Sequence, residues 1–451
     1  MTHLATVWIS RCLVALLALA TLSTTAYGQS ISNPLIPEST ALRHGLTRSW
    51  FHRVQMDAGR DRVENITVGD GVLFVQTRRG IISSIDSETG KVHWYRRIGS
   101  INRPTTAVGV GPNHVAALNG NTLYVMDREN GNILWQQRTF GAPGAGPAVT
   151  RNSVFVPSNG GVMQGYSIHD KQRRPWRYAS VGLADVQPYA TESSVSWPTE
   201  ANYFYVADSS SLNPRFRIEL GSGVAARPVY IKPYLYVGTL GGHLYKIHEQ
   251  TGSRAWRLAT GSPISSRPLA TGELVYVATE TGGVFCLSGR VSEEQLTLAE
   301  SEAGRIDRTA TVDGEEIWWA PGVTELLAAS PTRLYGRDAA GRMLVLRADN
   351  GGLVDTLSAE FSDLTVANDR TDRIFLATHG GLIQCLHEVA LTEPVVHANV
   401  KAMKKASEEA EAAEAEEEGL GGFEEDDDDG LDDDEDDGGF GDDEFEDDDD
   451  F

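Results

Sequence analysis

The sequence predicts an all-β fold: an eight-bladed β-propeller of four-stranded antiparallel blades, followed by a disordered acidic C-terminal tail. Three sets of residues recur with one period of about 40 positions. Aromatic residues stand 44, 41, 41, 40 and 40 positions apart, a glycine turn recurs in each unit, and a Thr-Gly or Asn-Gly pair precedes three tryptophans. A propeller repeats one small sheet around a ring, which leaves only short, protected sheet edges.

We interpret the recurring residues as packing markers that hold neighbouring blades together. The aromatic series is Trp50, Trp94, Trp135, Trp176, Phe216 and Trp256, and the dipeptide pairs end in Gly90, Gly131 and Gly252. The glycine turns lie at Gly80, Gly120, Gly161, Gly242, Gly283, Gly341 and Gly381, with the fourth turn expected near Ala201. Eight turns predict eight blades.

Each unit contains a run of short strands. In the first unit, apolar and β-branched residues fill 72–77 and 81–86 on either side of a glycine turn, and a third strand covers 92–96. The last unit, 374–386, lacks an outer strand, whereas the segment around Trp50 has no unit in front of it. We therefore expect the N-terminal segment to supply the outer strand of the last blade and close the ring.

The charge of the chain is concentrated at its C-terminus. Residues 408–450 contain 27 of the 63 acidic residues and no Lys or Arg, which leaves 36 acidic residues against 39 basic ones in residues 1–407. A near-neutral body therefore carries a polyanionic tail that has too few apolar residues to fold. We predict no nucleic-acid partner. The tail itself is a candidate for capturing basic proteins or, weakly, divalent cations.

The N-terminus resembles a secretory signal peptide. Arg11 precedes an apolar run at 12–22, and small residues occupy Ala26 and Gly28, so we predict cleavage after Gly28 and export to the periplasm or cell envelope. An uncleaved anchor is the alternative, although the run is shorter than the roughly 20 residues that span a membrane. Cys12 does not follow the apolar run, so we predict no lipid anchor.

These features divide the chain into five parts. They are a signal peptide at 1–28, an N-terminal linker at 29–44, the propeller at 45–390, a linker with a marginal charged helix at 391–418, and the disordered tail at 419–451. After cleavage Cys286 and Cys385 remain, at equivalent repeat positions, and we expect both to be free, buried and structural. No residue spacing indicates a metal site, so we predict no metal, no cofactor and no catalytic residue.

Two groups of residues are candidates for binding. A residue-Pro pair recurs at Arg103-Pro104, Gly146-Pro147, Gln187-Pro188, Arg227-Pro228 and Arg267-Pro268. Arg103, Arg227 and Arg267 would then converge on one mouth of the central channel and bind an anionic ligand or acidic peptide, unless they pair with nearby carboxylates. Trp318 and Trp319 fall on a non-repeat loop between blades six and seven, where they would contact a partner or pack on their own blade.

One repeat is specific enough to suggest a family. It reads Leu-Tyr-Val-Gly-Thr-Leu-Gly-Gly-His-Leu-Tyr-Lys-Ile at 235–247, followed by Thr251-Gly252 and Trp256, and it resembles the repeat of propellers of the pyrroloquinoline-quinone (PQQ) type. Such propellers include quinone-dependent dehydrogenases, which hold the quinone and calcium in the central funnel, and cofactor-free scaffolds such as BamB of outer-membrane assembly. The chain lacks the adjacent cysteines of the alcohol-oxidising enzymes, which favours the scaffold class.

The resemblance implies a non-enzymatic, exported propeller that acts as a protein-interaction scaffold in the cell envelope, with outer-membrane protein assembly as the candidate pathway. We predict a monomer whose partners are envelope or outer-membrane proteins. Two alternatives remain open: a PQQ-dependent dehydrogenase or ligand sensor, and a protein whose acidic tail is the active element. The missing lipid anchor and the long tail both depart from BamB.

Overall fold

The fold is that of an eight-bladed β-propeller, in a computed structural model that describes residues 35–211, 213–289 and 316–397. Within these residues, 32 strands form eight four-stranded antiparallel sheets, and the first strands of neighbouring sheets lie side by side around the axis. The predicted fold class is confirmed. The predicted signal peptide, the acidic tail and most of the insertion after Ser288 lie outside the described residues.

The elements follow one another with little intervening chain. The helix α1 is Glu38–Arg43, and the first sixteen strands are β1 (Leu46–Arg53), β2 (Val63–Gly69), β3 (Val72–Thr77), β4 (Ile81–Asp86), β5 (Val92–Arg97), β6 (Gly109–Val110), β7 (His114–Asn119), β8 (Thr122–Asp127), β9 (Ile133–Arg138), β10 (Ala148–Val149), β11 (Ser153–Pro157), β12 (Val162–Ser167), β13 (Trp176–Ala179), β14 (Tyr189–Ala190), β15 (Ser194–Pro198) and β16 (Tyr203–Asp208). The remaining strands are β17 (Pro214–Glu219), β18 (Val229–Ile231), β19 (Tyr234–Gly238), β20 (His243–His248), β21 (Arg254–Ala259), β22 (Leu269–Thr271), β23 (Leu274–Ala278), β24 (Gly283–Ser288), β25 (Glu316–Pro321), β26 (Glu325–Ala329), β27 (Arg333–Arg337), β28 (Met343–Arg347), β29 (Leu353–Leu357), β30 (Leu364–Thr365), β31 (Ile374–Ala377) and β32 (Leu382–Glu388).

The ring is closed by a strand from the beginning of the chain. Blades one to seven each use four consecutive strands, from β2–β5 to β26–β29, whereas blade eight has the order β1-β32-β31-β30. Strand β1 pairs with β32 from Leu46 opposite Glu388 to Arg53 opposite Leu382. The N-terminal segment therefore supplies the missing outer strand, as the sequence analysis predicted.

Segments just before and just after the expected propeller boundaries also pack against the ring. Ile36 and Ala41, within the segment expected to be a linker, are buried in the apolar cluster between blades seven and eight. At the other end, Val395 is buried and Val396 forms a β-bridge with Thr371. The folded unit thus extends from residue 35 to residue 397 in the described part of the chain.

The apolar core is divided among the interfaces between blades. In the described part of the chain, eight clusters of buried side chains occur, one at each interface, including the interface between blades eight and one. At the interface between blades one and two, Phe74 and Trp94 pack against Val115 and Tyr124. Each blade is therefore stabilised by burying its two faces against its neighbours.

Aromatic residues on the outermost strands dock onto glycines of the next blade. Gly90, Gly131, Gly252 and Gly351 have φ between +68° and +73°, and a Cβ atom at any of them would lie 2.5–2.7 Å from the ring of Trp50, Trp94, Phe216 or Trp318 respectively. Glycine is required there by both the backbone and the ring. The indole N–H also donates to a carbonyl of the next blade in Trp50, Trp94, Trp135 and Trp318, at 2.8–2.9 Å.

Trp318 and Trp319 do not lie on a loop, and that prediction of their position is wrong. Both belong to β25, the outermost strand of blade six, which pairs with β24 after the long insertion. The insertion separates Trp318 from Trp256 by 62 positions, which hides its place in the aromatic series. Trp318 is buried, with 8% of its surface exposed, and docks on Gly351, whereas Trp319 is 51% exposed.

Removing residues 45–53 should destabilise the whole ring. The deletion takes away the outer strand of blade eight and exposes the interfaces on both sides of it, because β1 carries Leu46 and Trp50 into two different clusters. We expect one cooperative transition at a clearly lower melting temperature in circular dichroism, and partial recovery when the deleted peptide is added in excess. An unchanged melting temperature would contradict ring closure by β1.

Adjacent tryptophans in blade six should respond very differently to substitution. Trp318→Ala empties a buried interface site and should lower the free energy of unfolding by about 3–5 kcal/mol. Trp319→Ala, the matched control one residue away, should change it by less than about 1 kcal/mol because the ring is half exposed. Chemical denaturation of both variants measures the difference, and equal losses would rule out the docking role of Trp318.

Candidate functional site

The inner strands of the blades surround the central channel, and strand register identifies equivalent positions along them. In blade five, three successive strand pairings lead from the docked Trp256 on the outermost strand to the inner strand. Trp256 pairs with Lys246, Lys246 with Tyr236, and Tyr236 with Val229. The residue two positions before Val229 is Arg227. The same reading gives a ring of equivalent residues at one level of the channel in blades two to six: Ala107, Gly146, Gln187, Arg227 and Arg267.

Contacts between neighbouring members support this ring. A Cβ atom on Gly146 would lie 2.3 Å from the carbonyl oxygen of Ala107 and 3.2 Å from Nε2 of Gln187. The same Nε2 atom donates to the carbonyl oxygens of Val108 and Pro147, at 3.3 and 2.8 Å. At this ring of positions, the residues of blades two to four are closely packed and hydrogen-bonded. Blades five and six place two cations there.

Arg103 does not belong to this ring, and its predicted equivalence with Arg227 and Arg267 fails. The equivalent residue of blade two is Ala107, four positions later, since Gly109 is the first residue of that inner strand. Arg103 is exposed and its side chain lies against Gly120 of its own blade. Arg103 resembles the two channel arginines because a proline follows each of the three, whereas no proline follows Ala107.

A carboxylate from blade eight reaches Arg267, one of the two channel arginines. Nη2 of Arg267 donates to Oδ2 of Asp369, although blade seven separates their blades. Such a contact requires both side chains to point toward the axis. Arg370, the next residue, has Nε 3.8 Å from Oδ1 of Asp369 and Nη1 3.3 Å from Oδ1 of Asp70 in blade one. We call Arg227, Arg267, Arg370 and Asp369 the channel cluster.

Asp369 is brought to the channel by an unusually long inner hairpin. Eight residues, 366–373, connect β30 to β31, whereas two residues connect the equivalent strands β18 and β19 of blade five. The hairpin is fixed on both sides of Asp369: the N–H of Asn368 donates to the carbonyl oxygen of Leu327 in blade seven, and the N–H of His397 donates to that of Arg370. The carboxylate is thus held in place by backbone contacts.

The cluster carries more positive than negative charge. Burial alone would raise the pKa of Asp369, but the charges of Arg267, Arg370 and Arg227 outweigh it and hold this pKa at about 2. Burial and the charge of Arg267 lower the pKa of Arg227. Among the described residues, Arg227 has no carboxylate within ion-pair distance, and its guanidinium lies 5.3 Å from the ring centre of Tyr189.

The cluster also contains unused hydrogen-bond donors. The Nε atoms of Arg227, Arg267 and Arg370 are buried and have no hydrogen-bond partner among the described residues. Guanidinium groups have only donors and match carboxylate and phosphate oxygens in geometry. The arrangement can therefore bind an anion chemically, whereas it offers no nucleophile and no paired acid and base.

The channel cluster does not fit a calcium-bound quinone. Calcium requires about six to eight oxygen ligands, and the carboxylate of this cluster is already paired with Arg267. Across the described ranges, no group of three or more His, Cys, Asp or Glu side chains is placed to hold a metal ion. Cys286 and Cys385 are free and buried, and burial raises the pKa of both thiols, that of Cys286 to about 12.

Membrane insertion through a helix has no support in the described residues. No helix there combines the length and the apolar character needed to cross a bilayer.

Comparisons with known proteins agree with this architecture. A family model described as outer membrane protein assembly factor BamB matches residues 78–212 and 208–295. Among solved structures, the chain is similar to BamB from Moraxella catarrhalis, at 18% identity and a TM-score of 0.56, over 76% of this chain and 97% of that one. It is also similar to the computationally designed Ika8 protein, at 15% identity and a TM-score of 0.56, over 73% and 96% of the two chains. No curated protein shows a significant match to the sequence.

The two kinds of comparison establish different things. At these identities the solved structures show the fold alone. The family model adds the repeat type, because its two matches run from the end of β3 in blade one past β24 in blade six. The eight sheets, the docked aromatic residues and the matched repeats agree: the chain is an eight-bladed β-propeller whose repeats are similar to those of the PQQ-like BamB family model.

Proposed function

We propose that the protein is an exported, non-enzymatic scaffold that holds partner proteins in the cell envelope, in the assembly of outer-membrane proteins. The observation that carries the proposal is the match of residues 78–295, from the third strand of blade one to the third strand of blade six, to the family model of an outer-membrane assembly factor. The signal-like N-terminus supports export. The channel chemistry is consistent with binding, since it provides donors and charge without a reactive group.

Exposed aromatic residues provide a surface for such partners. Phe51, Tyr95 and Trp319 directly follow the docked tryptophans of blades eight, one and six, and they are 56%, 65% and 51% exposed. Blade seven, between them, exposes Leu353 and Val354. Large aromatic side chains supply most of the binding energy in protein interfaces. We propose this outer rim, including Trp319, as the partner-contact surface.

Export and processing can be tested on the mature protein. If the signal peptide acts as proposed, protein purified from the envelope fraction should begin at Gln29, as read by N-terminal sequencing. An unprocessed chain that fractionates with the cytoplasm would overturn the proposed location.

Partner binding should depend on the outer rim. We expect cross-linking in intact envelopes, followed by mass spectrometry, to join the protein to outer-membrane assembly components, with cross-links concentrated on blades six to one. Trp319→Ser should reduce this yield severalfold, whereas Trp256→Phe, a conservative change at a buried docking position, should leave it unchanged. Equal yields from wild type and the Trp319→Ser protein would remove the rim from the proposal.

The dehydrogenase alternative predicts a bound chromophore. We expect no quinone absorbance to remain with the protein after incubation with PQQ and calcium followed by gel filtration, because the channel residues that the structure describes do not form a set of calcium ligands. Retained quinone in stoichiometric amount would reject the non-enzymatic proposal. A parallel pull-down of basic proteins with and without residues 419–451 tests the tail hypothesis separately.

A further inference from the structure

We propose that the channel cluster is an oxyanion-binding site, in which Arg227, Arg267 and Arg370 bind a phosphate or carboxylate group beside Asp369. The proposal goes beyond the scaffold function and does not depend on it.

The first support is that the cations come together from blades far apart in sequence. Arg227 and Arg267 precede the inner strands of blades five and six, and Arg370 comes from the long hairpin of blade eight. Arg267 and Arg370 both contact Asp369, which fixes their guanidinium groups on one carboxylate. The groups that would bind an anion are therefore already held in position, so that little conformational entropy is lost on binding.

The second support is that the charge is not balanced within the described residues. Asp369 forms ion pairs with both Arg267 and Arg370, and Asp70 forms a second ion pair with Arg370. Arg227 makes no ion pair among these residues and lies over the ring of Tyr189, while the like charges of Arg267 and Arg370 oppose the attraction that Asp369 exerts on it. An anion next to Arg227 would relieve this repulsion, and the partly dehydrated setting would strengthen the attraction.

The third support is the number of unused donors. Three buried Nε–H groups lack acceptors, and each belongs to a different member of the cluster. A buried donor without a partner is unfavourable, and filling it improves binding more than an exposed donor would. A group with several acceptor oxygens can satisfy more than one of them at once. An oxyanion has several acceptor oxygens on one centre and also carries the negative charge that the three cations attract.

Phosphate and carboxylate share this chemistry and differ in source. A small phosphate would come from solution, whereas a carboxylate would come from an acidic side chain of a partner protein. Isothermal titration calorimetry of the full mature chain at low ionic strength distinguishes them, with inorganic phosphate as one probe and an amidated Glu-Glu-Glu peptide as the other. A Gln-Gln-Gln peptide is the uncharged control and should not bind.

Arg227→Gln is the decisive variant because Arg227 makes no ion pair in the described structure. Its melting temperature should be equal to or above that of wild type, since a poorly compensated charge is removed. Loss of one charge-assisted contact should weaken binding of the better probe by about tenfold or more. Arg103→Gln is the matched control, as it also precedes a proline but lies outside the cluster, and it should bind as wild type does.

Asp369→Asn gives an effect of opposite sign. Neutralising the internal carboxylate leaves three cations free for the probe, so its affinity should rise above that of wild type. A general electrostatic attraction to the protein surface would weaken binding by similar factors in the Arg227→Gln and Arg103→Gln proteins, whatever the Asp369→Asn protein does. The proposal is overturned if neither probe binds the wild type, or if Arg227→Gln and Arg103→Gln weaken binding equally.

Discussion

Closure of the ring by strand β1 is the constraint on which the rest of the structure depends. Each blade is a small sheet that cannot bury its faces alone, and the eight apolar clusters lie between blades. If the seam between blades eight and one opened, two of these faces would become exposed to water. Stability is therefore shared around the ring, and the first folded residues of the chain are needed to complete its last blade.

A buried ionic contact reinforces the same seam. Arg373 of blade eight is 1% exposed, and its Nε donates to Oε2 of Glu88 in blade one at 2.8 Å. Its Nη1 and Nη2 atoms donate to the carbonyl oxygens of Leu391 and Thr392 in the C-terminal segment. A buried guanidinium is tolerated because nearly all its donors are satisfied. The contact ties three parts of the chain together: blade one, blade eight and the segment after it.

Sequence periodicity was sufficient for the fold because the packing that it reports is local and repeated. The fourth turn illustrates how far this goes: it was expected near Ala201, and Asn202 there has φ +64°, a conformation that asparagine tolerates better than most residues. Sequence periodicity gives wrong predictions where the repeat is interrupted. The insertion before β25 concealed the role of Trp318, and the proline after Arg103 made this residue look equivalent to Arg227, although the strand register places it four positions too early.

The channel cluster could be predicted only in part. The spacing of residue-Pro pairs located Arg227 and Arg267, but it missed Asp369 and Arg370, which belong to a hairpin with no repeat equivalent. A signal existed in the unusual length and charge of 366–373 between two short strands. The ion pair between Asp369 of this hairpin and Arg267 of blade six could not be predicted from the sequence, because the two residues meet only when the ring is closed.

The cations of the channel are not explained by the fold itself. The equivalent residues in blades two to four are Ala107, Gly146 and Gln187, which are uncharged, and Gln187 satisfies its amide with two backbone carbonyls. The same level of the ring can therefore be built without charge. Arg227 occupies it with a lowered pKa and an unpartnered Nε, which is unfavourable for folding. Groups held in such surroundings occur preferentially at functional sites, and this asymmetry between blades is why the channel, as well as the outer rim, should be regarded as a place where the protein binds.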